Sequence, residues 1–447
     1  VEDLTTGSIS RHLLKTTSFM LVTMVFQTLY FLVDLYWVGR LGKEAIAGVG
    51  IAGNLTFIVL AITQMLAVGT TTLIAHAAGR KEREQAQLVL TQSLLLAAFI
   101  GALFLIVVTV FREMYVNSLS PDPLSAASAN AYLSWFIPAM ALQYPMVVMG
   151  AALRGTGNFK PGMVVQTATV IINIVLAPIL MFGWLGGTPM GVAGAGLASL
   201  VAIIVGTLWL AFYFFDAASY LTLHPHFKPN RGMWTQVLKI GLPAGVEFGL
   251  IAVYLVVVYT VSRPFGAAAQ AGFGIGQRIT QAGFMPIVAL GFAVAPVAGQ
   301  NFGARKAERV LETFRRAALM AASAMALFTV LCLAAGKAMI GFFSSDPAVI
   351  AIGAEYLRLI SWSLAAGGVV FVNGSMFQAM GNTVPPLIAS FMRILVVAIP
   401  AILLSRMAGF ELRWVWYLSV AATILQLGMN LFLLRREFRA RLRFEPA

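Results

Sequence analysis

The sequence predicts an all-α integral membrane protein: twelve transmembrane helices in two six-helix lobes related by an internal parallel repeat. Three observations carry this. Of 447 residues, 60% are hydrophobic and 11% charged, whereas a soluble domain carries about 25% charged residues. Apolar runs recur along the whole length, each about 20 residues or longer, the length a helix needs to cross a hydrocarbon core of about 30 Å. One offset, the 224 residues that separate Gly42 from Gly266, lays landmark on landmark. A transmembrane β-barrel would show segments of about ten residues with period-two alternation; these runs are longer and continuously apolar.

Taken in order, the spans are punctuated by connections that repeat. The first, 15–38, ends in "GRLGKEAIAGVGIAGN"; the seventh, 237–262, ends in "RPFGAAAQAGFGIGQR", which pairs Gly48 with Gly272 and Gly50 with Gly274. The second, 47–77, and the eighth, 270–298, close on Gly79 and Gly303, followed by Glu84 and Glu308. After the third, 88–111, and the ninth, 313–342, "SPDP" faces "SSDP", so Asp122 and Pro123 fall on Asp346 and Pro347. The fourth, 126–152, and the tenth, 349–377, carry Tyr132 and Tyr356 and end in "GNFKP" and "GNTVP". The fifth and sixth, 161–183 and 191–215, answer the eleventh and twelfth, 384–405 and 412–434. Six spans per half is an even number, so both copies enter the membrane in one orientation, as in secondary transporters whose substrate lies between the halves. The expected division is a first lobe over 1–220, a polar connector over 221–236 and a second lobe over 237–447.

Net charge is +13. Loops on one side, counted with both termini, hold 20 of the 30 Lys and Arg, Arg80, Lys81, Arg305 and Lys306 among them. By the positive-inside rule that side is cytoplasmic, which places both termini inside a cell (plasma) membrane. The basic balance therefore reports topology and anionic lipid, and no nucleic-acid partner is expected. The lone Cys332 makes no intramolecular disulfide. The first apolar run, about 24 residues, is too long for a cleavable signal core and continues into the membrane domain.

Residues shared by both halves serve the scaffold; those in one half only are candidates for chemistry. Asp34 pairs with Val258, Glu247 with Thr23, Arg393 with Thr169 and Asn173 with Val397. Of 17 acidic residues only Asp34 and Glu247 lie well inside a span. A carboxylate there costs about 2.5–3.5 kcal/mol even on the lenient insertion scale, so such acids mostly face water-filled cavities and serve ion or proton pathways. Gln27 and Tyr30, seven and four residues earlier, share Asp34's helical face. The alternative for Asp34 is an acid that simply reaches the interface; for Glu247 it is one solvated from the cytoplasmic side. Arg278 and Arg393 are the cations left within the membrane, as counter-charges or cavity residues.

Other signals carry less. His224 and His226 in "HPH" are two ligands where zinc needs three or four, so no metal site is expected. The GxxxG spacings Gly187–Gly191 and Gly241–Gly245 read as close helix packing. No GxxxxGK[ST] occurs, and neither enzyme chemistry nor a cofactor is indicated. An ion gradient is the driving force that remains.

Three stretches, "GQNFGARK" from Gly299, "LRGTGNFKPG" from Leu153 and "GVAGAGLAS" from Gly191 to Ser199, stand at matching places in this 6+6 repeat. In them the chain resembles the multidrug and toxic compound extrusion (MATE) family, DinF-like branch. The resemblance implies export of cationic, amphipathic compounds, organic cations or drugs, in exchange for protons or sodium; a monomer is expected. It puts the coupling acid on Asp34, with Gln27, Tyr30 and Asn173 as polar partners; Glu247, which lies one turn before the glutamate of some relatives' seventh span, and Arg278 and Arg393 are secondary coupling or cavity candidates on their own residue types rather than by the resemblance. Some relatives carry a second acid four residues after that asparagine, where this chain has Ala177, and an acid in the tenth span, where none occurs between Glu355 and Glu411. One acid and one amide are a thin supply for sodium, which favours the proton. A lipid-linked oligosaccharide or lipid flippase is the alternative; it would call for several basic residues against phosphates.

Overall fold

The computed structural model describes residues 2–216, 219–223 and 228–444; His224 and His226 lie outside them. Thirteen α-helices follow one another: α1 (Ile9–Gly39), α2 (Lys43–Gly79), α3 (Arg83–Leu119), α4 (Pro123–Gly155), α5 (Lys160–Phe182), α6 (Val192–Phe215), α7 (Arg231–Ser262), α8 (Ala267–Gly303), α9 (Ala307–Phe343), α10 (Pro347–Ile360), α11 (Leu364–Ala379), α12 (Val384–Ser405) and α13 (Arg413–Arg441). A 3₁₀ turn at Ser361–Ser363 joins α10 to α11 as one span, so the described residues form twelve helical spans, as the sequence predicts, and no strand.

The duplication is preserved at single-residue register. Both ends of α2 match those of α8, and both ends of α3 match those of α9, at the 224-residue offset that separates Gly42 from Gly266. The helix caps explain why these landmarks repeat. Asp122 and Asp346 cap α4 and α10, accepting from Ser125 N (2.7 Å) and Ala348 N (2.9 Å), and each is followed by a proline at the first helical turn, where a missing N–H is harmless. Gly157 (φ +83°) and Gly381 (φ +78°) adopt the left-handed conformation that closes α4 and α11. There Asn158 N donates to Leu153 O and Asn382 N to Phe377 O, both at 3.0 Å. The same closure ends α2 and α8, but with Lys81 and Arg305, both at φ +60°, where glycine would be unstrained.

The chain divides into two compact units, Val1–Asp3 with Ser18–Leu242, and Leu4–Thr17 with Pro243–Ala447. The expected lobes placed 1–220 together; the structure groups residues 4–17 with the second half, and the start of α7 with the first. The reason is local bonding. Leu4, Ile9 and Leu13 are buried in the second unit's core. Leu4 N donates to Gln300 Oε1 (3.1 Å), Asn301 Nδ2 to Leu4 O (3.1 Å) and Lys306 Nζ to Thr5 O (2.8 Å). In the first unit, Gln92 Oε1 accepts from Asn230 N (2.8 Å) and Trp234 Nε1 (3.0 Å), fixing the start of α7 against α3.

Within the first unit α4 packs chiefly against α2 and α6; within the second, α8 packs against α9, α10 and α11. Small residues permit this closeness. A Cβ on Gly48 would stand 2.7 Å from Ala129 N, and one on Gly272 3.0 Å from Gly353 N, the same crossing in each unit. Gly241 lies directly on the Met65 carbonyl and Gly69 on that of Val237, which agrees with the packing expected of Gly241. Gly187 and Gly191 differ from expectation. They lie in the turn before α6, Gly191 at φ +62° with open space around it; Gly194 is the residue that packs, against the Leu180 and Met181 backbone.

Candidate functional site

The first unit holds a polar cluster around Ser199. Its Oγ lies 2.9 Å from the Tyr30 hydroxyl and accepts from Asn173 Nδ2 at 3.0 Å. The three residues come from α1, α5 and α6, so one buried hydroxyl joins three helices. Asp34 stands one turn after Tyr30 on α1, with Tyr30 and Tyr132 within electrostatic reach of its carboxylate. Its Oδ1 is buried and accepts no hydrogen bond. A half-buried acid with an unused acceptor is set up to hold a proton or attract a cation. Gln27 is exposed and stands outside this cluster. Ser199 was not among the candidate residues; its place at the end of "GVAGAGLAS" was the only available signal.

The second unit carries a different set. Glu247 Oε1 accepts from Ser390 Oγ (2.9 Å), which accepts in turn from Gln426 Nε2 (3.1 Å). Arg393 lies one turn after Ser390 on α12. Its Nε donates to Thr423 Oγ1 (3.3 Å), and its guanidinium carbon lies 4.9 Å from the centre of the Tyr254 ring. Arg393 and Glu247 form no ion pair. Arg278 stands apart from both, exposed beside a cavity of about 540 Å³ lined with Phe328, Met339, Phe342 and Phe343. Among the described residues no group of three or more His, Cys, Asp or Glu is placed to hold a metal ion.

Fold and site together define a duplicated twelve-span membrane protein with an intramembrane acid retained in one copy. The chain belongs to the MatE family, whose model matches residues 20–179 and 243–404, one stretch in each half. It is 26% identical over 380 residues to the probable multidrug resistance protein NorM of Thermotoga maritima, covering 84% of this chain and 81% of that one. It is also 26% identical over 369 residues to the multidrug export protein MepA of Staphylococcus haemolyticus, covering 81% and 80%. Among solved structures, a MATE protein in the bent conformation superposes with a TM-score of 0.91 at 24% identity, covering 98% of this chain and 97% of that one.

Proposed function

We propose that the chain is a secondary active multidrug efflux antiporter of the DinF-like branch. It exports cationic amphipathic compounds in exchange for protons, with Asp34 as the exchange site. The observation that carries this reading is the unsatisfied Asp34 Oδ1, buried beside the Tyr30–Ser199–Asn173 cluster in a helix whose repeat partner has Val258 instead. Deprotonated, Asp34 attracts an organic cation or organises Tyr30 and its neighbours; protonated, it loses both the charge and the attraction. A proton arriving from outside then releases the substrate outward. The names of the relatives above, multidrug resistance and multidrug export proteins, support the substrate class.

Protons are favoured over sodium because sodium needs several oxygen ligands, and Ala177 takes the place where a second acid would stand. Glu247, held by Ser390, is a secondary coupling residue. The flippase alternative gains nothing from Arg278 and Arg393, which lie in separate surroundings. The protein is further read as a monomer of the plasma membrane with both termini cytoplasmic. The test is organic-cation efflux from proteoliposomes under an imposed pH gradient or sodium gradient. The parent should respond to the pH gradient and Asp34→Asn should not, while remaining folded. Equal transport by the two proteins would end the proposal.

A further inference from the structure

The duplicated architecture gives the second unit a counterpart of the Asp34 cluster, and there a cation, Arg393, stands beside the tyrosine. Tyr254 occupies the repeat position of Tyr30, and its hydroxyl lies 3.0 Å from Ser419 Oγ on α13, one turn before Thr423, which is the repeat position of Ser199. Two of the substitutions that separate the copies matter here. Asp34 is replaced by Val258, fully buried, so the acid is gone; Thr169 is replaced by Arg393, so a cation has arrived.

Ser419 Oγ donates to Val415 O (2.9 Å), so the Tyr254 hydroxyl is the donor to Ser419. Thr423 Oγ1 donates to Ser419 O (2.9 Å) and accepts from Arg393 Nε. Ser390 Oγ spends its proton on Glu247. Every hydroxyl proton of the cluster is therefore used internally. Of the Arg393 guanidinium only Nε finds a hydrogen-bond partner among the described residues, and no carboxylate pairs with it. In the first unit the unmet group is an acceptor, Asp34 Oδ1; in the second it is the two-nitrogen edge of a guanidinium. Intramembrane charges are costly and mark ligand pathways, and a planar fork with free N–H groups matches a planar oxyanion.

We propose that Arg393, braced by Thr423 and the Tyr254 ring, is an anion-recognition site in the second unit for an organic compound that carries a carboxylate. A lipid headgroup shares this oxyanion chemistry but sits at the wrong depth. Arg393 is the tenth residue of the 22-residue α12, about 14 Å along the helix from its start at about 1.5 Å per residue. The solute assignment rests on the antiporter reading; the anion site does not.

The test uses two forms of one cationic xanthene dye, one with a free carboxylate and one with that group esterified, bound at equilibrium to the purified full-length protein and followed by fluorescence anisotropy. The parent should prefer the carboxylate form. Arg393→Gln should lower the ratio of the two affinities about tenfold or more, as expected when a charged hydrogen bond is lost, and Arg393→Lys should recover part of it. A ratio unchanged by Arg393→Gln, or a parent without preference, overturns the proposal. Should Arg393→Gln fail to fold, competition on the parent decides. Benzoate should displace the carboxylate dye while benzamide does not, and equal displacement by both overturns the proposal. Vesicles of neutral lipid and of neutral plus anionic lipid should give the same preference; its loss with anionic lipid overturns the solute assignment. Because no gradient is applied, absence of pH-driven efflux would end the antiporter reading without touching this result.

Discussion

Replacing Ser199 by alanine removes the one group that ties α1, α5 and α6 together at the candidate site. Ser199 is 1% exposed, so water does not replace its oxygen. Two contacts vanish, to Tyr30 OH at 2.9 Å and from Asn173 Nδ2 at 3.0 Å. The Tyr30 hydroxyl retains Asn173 as a neighbour, so one donor is left without a partner rather than two. Losing a net hydrogen bond costs about 1 kcal/mol, and stranding a buried donor adds about 1–3 kcal/mol. The expected loss is about 2–4 kcal/mol. For a unit of this size each kcal/mol moves the midpoint by about 2–4 °C, so thermal unfolding in detergent should shift downward by several degrees. Tyr30→Phe removes one of the same contacts, so Tyr30→Phe and Ser199→Ala together should lose about 1 kcal/mol less than the sum of the single losses. pH-driven efflux should fall in both single variants, because Tyr30 and Asn173 lose their common anchor beside Asp34. Strict additivity combined with unchanged efflux would refute the cluster as a unit.

Four further outcomes follow from the geometry. Gly241→Leu should cost about 1–3 kcal/mol, the usual penalty for overpacking, since the new side chain meets the Met65 backbone; differential scanning fluorimetry reads it directly. Asp122→Ala and Asp346→Ala should each cost about 1 kcal/mol through loss of a helix cap and should be alike, because the two caps are repeat equivalents. Lys81→Gly and Arg305→Gly should each stabilise by about 0.5–1 kcal/mol by relieving a left-handed residue, measurable as a raised midpoint. Glu247→Gln keeps an oxygen for Ser390 and should leave the midpoint within about 0.5 kcal/mol of the parent, while reducing pH-driven efflux without abolishing it.

What sequence alone determined here is local or periodic. Span number follows from run length, because a helix must cross a fixed thickness of hydrocarbon with its backbone bonds satisfied inside the segment. The repeat and its caps were legible for the same reason: "SPDP", "SSDP", "GNFKP" and "GNTVP" encode helix starts and stops within a few residues of chain. Asp34 was legible as an acid in an apolar run that its copy lacks. The tertiary structure decided which side chains meet. Ser199 reaches Tyr30 across 169 positions of sequence, and Gln27, on the predicted face, stays outside the cluster. Arg393 meets Tyr254 and Thr423 rather than Glu247, which is taken by Ser390. Residues 4–17 pack with the second unit although they lead into the first. In a membrane helix apolar residues face lipid and neighbour alike, so hydropathy does not mark the packed face. Small residues and single hydrogen bonds set that face, and their partners lie far away in sequence.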